Sequence, residues 1–231
     1  MKPRPPTPSH RSPDYALLSG GGRIWKEATS ASCAIRKGAT SYSLFSLLSG
    51  SPRILYSDPE WALHPQTNLG MCWGHAGTKG HLGIFLMSTI AVSAVTLEHP
   101  LEVRVNPSST PRDLVLLGIV EDQEQIQRLN RYYSRRSNGS TIDDLLTLRS
   151  SVVSSMDFSL REDTVAVLSA FTYDLHQSND IQTFSVFPDM QELSLSINRI
   201  ILVTMNNWGN NDHTLLCRVR VHGNRSDVAG E

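Results

Sequence analysis

Alternating apolar and polar positions mark most of this sequence, and they predict strands. The run LGIFLMSTIAVSAVTL at 82–97 is apolar and rich in β-branched residues, but it is shorter than the roughly 20 residues that a membrane-spanning helix needs. We interpret it as two buried strands joined by a tight connection. Further strand patterns begin near residues 113 and 165, and three more follow between 181 and 223 with turn residues between them. Short strands at such spacing are typical of a β-sandwich.

A helical pattern interrupts these strands after residue 120. Ile126, Leu129 and Tyr133 recur at helical spacing, with acidic residues before them and arginines after them, as the helix dipole favours. The sequence therefore predicts a mainly β fold, an antiparallel β-sandwich with a helical insertion at about 121–168. Residues 1–13 are rich in proline, serine and basic residues, which predicts a disordered segment. Residues 224–231 are expected to form a C-terminal tail.

Composition and charge narrow the class of protein. The chain has 231 residues, of which 39% are hydrophobic and 19% charged, as expected for one globular domain with a buried core. Its formal net charge of −1 gives no general electrostatic reason to expect nucleic acid as a partner. The N-terminus does not show the apolar core of a signal peptide, so neither an export signal nor a membrane anchor is expected within this sequence. It is therefore expected to be a fragment or an incomplete gene model.

Candidate catalytic residues are present but do not form a recognised motif. His75, His81, His99 and His213 are scattered, and a nucleophile elbow, a phosphate-binding loop and a zinc-protease motif are all missing from the sequence. We therefore expect no enzyme, no cofactor and no metal site. One enzymatic alternative pairs Cys217 with His213, and it requires a reactive thiolate.

Several longer motifs occur together and point to a family. They are DYALLSGGGRI, SPRIL, MCWGHAGTKGHLGIFL, AVTLEHP, SSTPRDLVLLG, FTYD, IQTFSVF and NNWGNNDHTLLCRVRVHG. In this order and approximate spacing they resemble a SUN domain, the C-terminal module of SUN proteins of the inner nuclear membrane. The resemblance covers 14–118 and 171–223. The helical block between them resembles the expanded loop of some fungal members.

The resemblance implies a jelly-roll-like, galactose-binding-like β-sandwich that trimerises above a coiled coil. In the family, this domain binds the C-terminal tail of a KASH protein in the perinuclear space and so links the cytoskeleton to the nucleus at the nuclear envelope. A β-hairpin lid, here at about 28–50, would accept the peptide as an added strand. Because no heptad pattern precedes Asp14, a homotrimer is expected for the family and a monomer for this chain alone.

The resemblance also assigns peptide-binding positions. His99 matches the family's pocket histidine and Ser109 its pocket serine, whereas His213 and Cys217 replace two pocket tyrosines. His213 keeps a hydrogen-bonding group, but Cys217 is smaller and a poorer donor than tyrosine, so a wider and less polar pocket is expected on that side. The plainer alternatives are a strand-end histidine bonded to local backbone for His99 and a turn residue for Ser109.

The resemblance implies a disulfide as well. The family joins a cysteine at the position of Cys72 to a cysteine in the last strand, at the position of Leu215 in this sequence. Cys217 lies two residues further along the same strand face, so it is a candidate partner for Cys72, and the alternative is that both thiols stay free. Cys33 is expected to be a free thiol near the lid.

Two further expectations concern loops and a second function. The family holds a monovalent cation in the loop corresponding to 54–71, and because this loop is longer here we do not expect the cation. The alternative function is a luminal or surface SUN-like domain that binds carbohydrate or assists membrane-protein folding, with Trp61 as the candidate sugar-stacking residue. Arg218 and Arg220 are expected on a solvated strand face.

Overall fold

The computed structural model describes residues 12–36, 54–56, 58–67, 71–99, 107–135, 141–177 and 179–225. In chain order, the strands are β1 (Arg23–Ile24), β2 (Ala34–Arg36), β3 (Ile54–Tyr56), β4 (Trp73–Ala76), β5 (Gly80–Glu98), β6 (Asp113–Ile119), β7 (Val165–Thr172), β8 (Ile181–Ser185), β9 (Ser196–Thr204), β10 (His213–Leu216) and β11 (Arg218–Arg225). The α-helices are α1 (Gln123–Tyr133), α2 (Thr141–Ser154) and α3 (Pro188–Leu193). The fold is the expected antiparallel β-sandwich with helices inserted between β6 and β7.

The central element is β5, a single strand of 19 residues. The prediction of two strands with a tight connection at 82–97 was therefore wrong. Its first half pairs with β1 and β9, and its second half pairs with β8 and β11. The register with β9 shifts between Phe85 and Ile90, so the strand changes partners without a turn. The intervening residues, LMST, include none of the glycine, proline, asparagine or aspartate that favour a reversal.

A second ribbon of strands lies beside this sheet. β10 pairs with β4, and β2 pairs with β3. The two pairs are connected, because Ser32 forms a β-bridge with His75 and the Cys33 N–H donates to the Gly74 carbonyl at 2.8 Å. β4 leads almost directly into β5, and β10 into β11. The pattern HTLLCRVRVHG was expected to form one strand through Cys217. It instead forms two strands, β10, which pairs with β4, and β11, which pairs with β5.

The insertion is anchored to the sheet by polar contacts. Tyr133 Oη accepts a hydrogen bond from the Val167 N–H at 3.1 Å, and Gln125 Oε1 accepts one from the Ser196 N–H at 2.7 Å. Both ring nitrogens of His81 face oxygen atoms, at 3.1 Å from the Ala28 carbonyl and at 3.0 Å from Asp157 Oδ1.

The boundaries of the helical insertion and of the two terminal segments differ slightly from those expected. β7 begins at Val165 and pairs with β6, so the last four residues of the expected insertion, 165–168, belong to the sheet. β11 continues to Arg225, two residues into the expected tail. Pro13, the last residue of the expected disordered segment, is held by His222, whose Nδ1 lies 2.9 Å from the Pro13 carbonyl. Among the described helices, none is both long enough and apolar enough to cross a membrane.

Arg218 and Arg220 do not lie on a solvated face, contrary to the expectation. Arg218 Nη1 lies 3.2 Å from Glu98 Oε2, and Arg220 Nη1 lies 3.0 Å from Glu98 Oε1. Asp14 is the second carboxylate of this largely buried cluster, 3.6 Å from Arg218 Nη2. Its Oδ1 also accepts a hydrogen bond from the Val221 N–H at 3.2 Å. The four charges balance, which is the usual condition for burying ionised side chains. The cluster fastens the start of the domain to β5 and β11.

Candidate functional site

Ser109 and His213 are in direct contact. Ser109 Oγ lies 3.1 Å from His213 Nε2, and Asn210 Nδ2 donates to the same hydroxyl at 2.8 Å. Ser109 is buried, whereas His213 is partly exposed at the start of β10. Two of the expected peptide-binding residues therefore form one polar group, with the histidine on its solvent side.

An asparagine-rich turn positions this group. Asn207 Oδ1 accepts hydrogen bonds from the backbone N–H groups of Gly209 and Asn210, both at 3.0 Å. Its side-chain amide donates to Thr214 Oγ1 at 2.9 Å. The Asn210 side chain in turn accepts from the His213 N–H at 3.2 Å. Asparagine favours such turns because its short side chain bonds nearby backbone groups.

His99 lies in a second, more apolar part of the site. It is buried at the end of β5, and its ring contacts Tyr173 edge to face with 5.0 Å between ring centroids. Burial lowers the pKa of His99 to about 3, so the ring is neutral. Among the described residues, neither ring nitrogen has a hydrogen-bond partner. The backbone N–H of His99 donates to the Asp180 carbonyl at 3.1 Å, and the plainer alternative of a ring bonded to local backbone stays a prediction, since residues 100–106 lie outside the described part of the chain.

Trp208 connects the two parts. Its backbone N–H donates to the Thr110 carbonyl, beside Ser109, and its indole Nε1 donates to the Tyr173 carbonyl, both at 3.1 Å. The structure therefore joins His99 to the Ser109–His213 pair through Tyr173 and Trp208 rather than by direct contact. The surroundings of His99 beyond this lie partly in residues 100–106, outside the described part of the chain.

Cys217 does not present a thiol to the site. It is completely buried at the junction of β10 and β11, and its sulfur is bonded to that of Cys72, just before β4. Cys217 therefore offers no thiol to a peptide, and the disulfide with Cys72 that was its other expected role is present. The disulfide also removes the nucleophile that the enzymatic pairing of Cys217 with His213 requires. Cys33 is a free, partly buried cysteine, and burial raises its pKa.

The base of the expected lid is described, but its tip is not. β2 and β3 pair antiparallel from Ala34–Tyr56 to Arg36–Ile54, and residues 37–53 between them lie outside the described part of the chain. The bridge from Ser32 to His75 joins this hairpin to β4. β4 in turn pairs His213 with Ala76. The hairpin and the polar pair therefore belong to one continuous hydrogen-bonded ribbon.

The loop at 54–71 gives no support to sugar stacking. Trp61 is half-buried and packs edge to face on His64, with centroids 5.4 Å apart. The Pro65 carbonyl accepts a hydrogen bond from Arg218 at 3.1 Å. Residues 57 and 68–70 are not among those described, so the expectation about a monovalent cation stays a prediction.

Sequence reasoning missed three residues of the site: Tyr173, Trp208 and Asn210. The signals were present, since Tyr173 lies in the FTYD motif and the other two in NNWGNND. Trp208 is partly buried, and the indole N–H of such a tryptophan usually finds a hydrogen-bond partner, which points to a connecting role.

The sandwich, the disulfide and this site define a domain of the SUN class. The chain belongs to the Sad1/UNC-like C-terminal family, whose model matches residues 54–144 and 146–225. This match confirms the resemblance to SUN domains. It also extends through both insertion helices, with a break at residue 145 only.

Curated relatives agree with the family. The chain is 27% identical to human sperm-associated antigen 4 protein over 224 residues, which is 96% of this chain and 40% of that protein. It is 28% identical to mouse SUN domain-containing protein 3, covering 93% of this chain and 53% of the relative. It is 27% identical to human SUN domain-containing protein 1, in an alignment that covers 91% of this chain and 21% of that protein. The chain therefore spans about half or less of the length of these relatives.

Solved structures are similar only at a general level. An allantoicase from Saccharomyces cerevisiae aligns with a TM-score of 0.48 and 11% identity, covering 94% of this chain and 44% of that one. A fucolectin from striped bass serum aligns with a TM-score of 0.47 and 13% identity, covering 92% of this chain and 50% of that one. No activity or ligand of either protein is transferred to this chain.

Proposed function

We propose that this chain is a non-enzymatic tethering domain that binds the C-terminal tail of a KASH protein at the nuclear envelope. The observation that carries the proposal is the ribbon β3–β2–β4–β10, which connects the base of the lid to His213 and its partner Ser109. An extended peptide can add a strand at such an edge, with side-chain pockets reading its end. Family membership supports the same assignment.

The chemistry of the site suits the end of a peptide. His213 is partly exposed and oriented by the buried Ser109, so it offers a hydrogen-bonding group for a terminal carboxylate. Trp208 is also partly exposed and offers aromatic surface for a proline ring. Compared with a site of two tyrosines, this one has a smaller aromatic surface on the β10 side. We therefore expect binding that depends more on the carboxylate than on proline stacking.

The disulfide supports a location in the perinuclear space. Disulfides persist in oxidising compartments such as the endoplasmic reticulum lumen and are rare in the cytosol, and the perinuclear space is continuous with that lumen. Attachment to the inner nuclear membrane and assembly into a trimer through a coiled coil belong to the proposal for the full-length protein.

The test is binding of a synthetic, proline-rich KASH C-terminal tail to the disulfide-intact protein, measured by fluorescence anisotropy and repeated as a pull-down. We expect saturable binding that falls about tenfold or more when the terminal carboxylate is amidated, because a charged hydrogen bond is lost. His213→Ala and His99→Ala should weaken binding, whereas His64→Ala, a partly exposed histidine outside the site, should leave it unchanged.

Sedimentation of the same samples accompanies the binding measurement, since the family's site spans two protomers. Binding should increase when the protein is assembled as a trimer by an added upstream coiled coil. No binding by the trimeric protein, or equal binding by His213→Ala and wild type, would exclude the proposal.

A further inference from the structure

The insertion contains a cleft that the peptide site does not use. It lies between the end of α1, the middle of α2 and the turn before β7, it is open to solvent, and its volume is about 620 Å³. We call it the insertion cleft and define it by its polar lining residues Asn130, Ser134, Thr147, Arg149, Ser150 and Glu162. A volume of this size is in the range that holds a small molecule or a few residues of a peptide.

Arg149 is the distinctive group of the insertion cleft. It is only 8% exposed, and its guanidinium lies over the ring of Tyr133 at 4.3 Å. Nε faces Glu162 Oε1 at 3.4 Å, an ion pair without hydrogen-bond geometry. Nη1 also has no hydrogen-bond partner among the described residues. A buried cation with unused donors is costly, so an acceptor from outside the chain would be stabilising.

The hydroxyl groups around Arg149 already use their protons. Ser134 donates to the Asn130 carbonyl at 2.7 Å, Thr147 to the Asp143 carbonyl at 2.9 Å, and Ser150 to Glu162. Each oxygen therefore keeps lone pairs but no free proton. A phosphate or sulfate offers mainly acceptor oxygens. These could bind Arg149, but they would be repelled by the hydroxyl oxygens, which can only accept.

The complementary ligand carries an anionic oxygen beside hydrogen-bond donors. Thr147 and Ser150 are three residues apart on one helix face, so their Cβ atoms are about 5–6 Å apart. Alternate N–H groups along an extended peptide are separated by roughly 7 Å, close to this spacing. A carboxylate side chain on such a peptide would meet the part of Arg149 that lines the insertion cleft, where a charge-assisted hydrogen bond is favourable.

Charges of both signs lie in or near the insertion cleft. Glu162 is the one carboxylate among its described lining residues, and it faces Arg149. The exposed Arg131 and Arg135 each follow a lining residue in the chain and add positive charge at longer range. We propose that the insertion cleft binds an acidic peptide segment, with an aspartate or glutamate on Arg149 and backbone N–H groups on Thr147 and Ser150.

The test uses a fluorescein-labelled, extended peptide with two glutamates and its glutamine counterpart, added to the disulfide-intact protein. We expect saturable binding of the glutamate peptide and affinity lower by about tenfold or more for the glutamine peptide. Added salt should weaken the binding because part of the interaction is between exposed charges.

Variants at exposed positions avoid unfolding the protein. Thr147→Glu places a second carboxylate in the insertion cleft and should reduce affinity about tenfold or more. Ser151→Glu adds the same charge to an exposed position of α2 outside the lining and should leave binding nearly unchanged. KASH-tail binding is measured on the same variants and should not change, so failure of one proposal is distinguished from failure of the other.

Three results would overturn this inference. They are equal affinity for the glutamate and glutamine peptides, equal effects of Thr147→Glu and Ser151→Glu, and no saturable binding of the glutamate peptide. Sodium glucuronate and inorganic phosphate are tested in parallel. Binding of either of them without binding of the peptide would assign the insertion cleft to another class of ligand.

Discussion

Ser109 and His213, 104 residues apart in the chain, meet with their side-chain oxygen and nitrogen 3.1 Å apart. Ser109 is the last residue of a short 3₁₀ helix, Pro107–Ser109, and His213 begins β10. Asn210 Nδ2 also donates a hydrogen bond to Ser109 Oγ. The polar part of the candidate peptide site is thus a product of two separate loops.

Removal of the Ser109 hydroxyl should destabilise the domain. In Ser109→Ala, Asn210 Nδ2 and His213 Nε2 lose a partner in a partly buried setting, and the loss of such hydrogen bonds costs about 1 kcal/mol. Denaturant unfolding measures the change. Ser154→Ala removes an exposed hydroxyl bonded only to the Ser151 carbonyl and should stay within about 0.5 kcal/mol of wild type. Equal stability of the two variants would contradict the prediction.

Stability should fall as the solution is acidified below about pH 6.5. Burial lowers the pKa of His75, His99 and His222 in the folded protein. The unfolded chain therefore binds protons first as the pH falls, and the free energy of unfolding decreases. For His99, whose folded pKa is about 3, the loss between pH 7 and pH 5 is about 2 kcal/mol.

The pH dependence is measured by denaturant unfolding at several pH values above 5, where most carboxylates are still ionised. His99→Gln should flatten the slope, whereas His64→Gln should not. An unchanged slope in His99→Gln would show that His99 is accessible to protons in the folded state.

The disulfide should contribute strongly to stability. Cys72 and Cys217 are separated by 145 residues, and closing so long a loop in the unfolded chain corresponds to about 5 kcal/mol in the entropic description, with measured losses of about 2–5 kcal/mol. Cys72→Ser should lose an amount in this range, and Cys33→Ser should lose little. Thiol titration of the unfolded protein should find one thiol before reduction and three after it. Three thiols before reduction would contradict the Cys72–Cys217 bond.

Neutralising Glu98 should be more damaging than neutralising a surface carboxylate. Glu98→Gln leaves Arg218 and Arg220 with Asp14 as the only ionised carboxylate that the described residues place beside them, and breaking a buried ion pair in this way costs about 3–5 kcal/mol. Glu192→Gln, at an exposed position of α3, serves as the control. A loss below about 1 kcal/mol for Glu98→Gln would indicate that water reaches the cluster.

Much of the site could be anticipated from residue order alone, because the family motifs carry it. His99, Ser109 and His213 were chosen on that basis, and two of them do form a contact. Tyr173 and Trp208 were present in the same motifs but were missed, since their importance depends on hydrogen bonds to distant backbone groups. For Cys217, contact with the peptide and a disulfide with Cys72 were both expected, and the structure shows the disulfide.

By itself, the sequence determined the class of fold, since strand periodicity, the amphipathic pattern of α1 and the order of the motifs are local properties of the chain. Only the tertiary structure decided that β5 is one strand, that Arg218 and Arg220 are paired inside the protein, and that α1 and α2 enclose a cleft around Arg149. Each of these depends on what packs against a segment from elsewhere in the chain. Side-chain patterns report which face is apolar, but not which partner covers it.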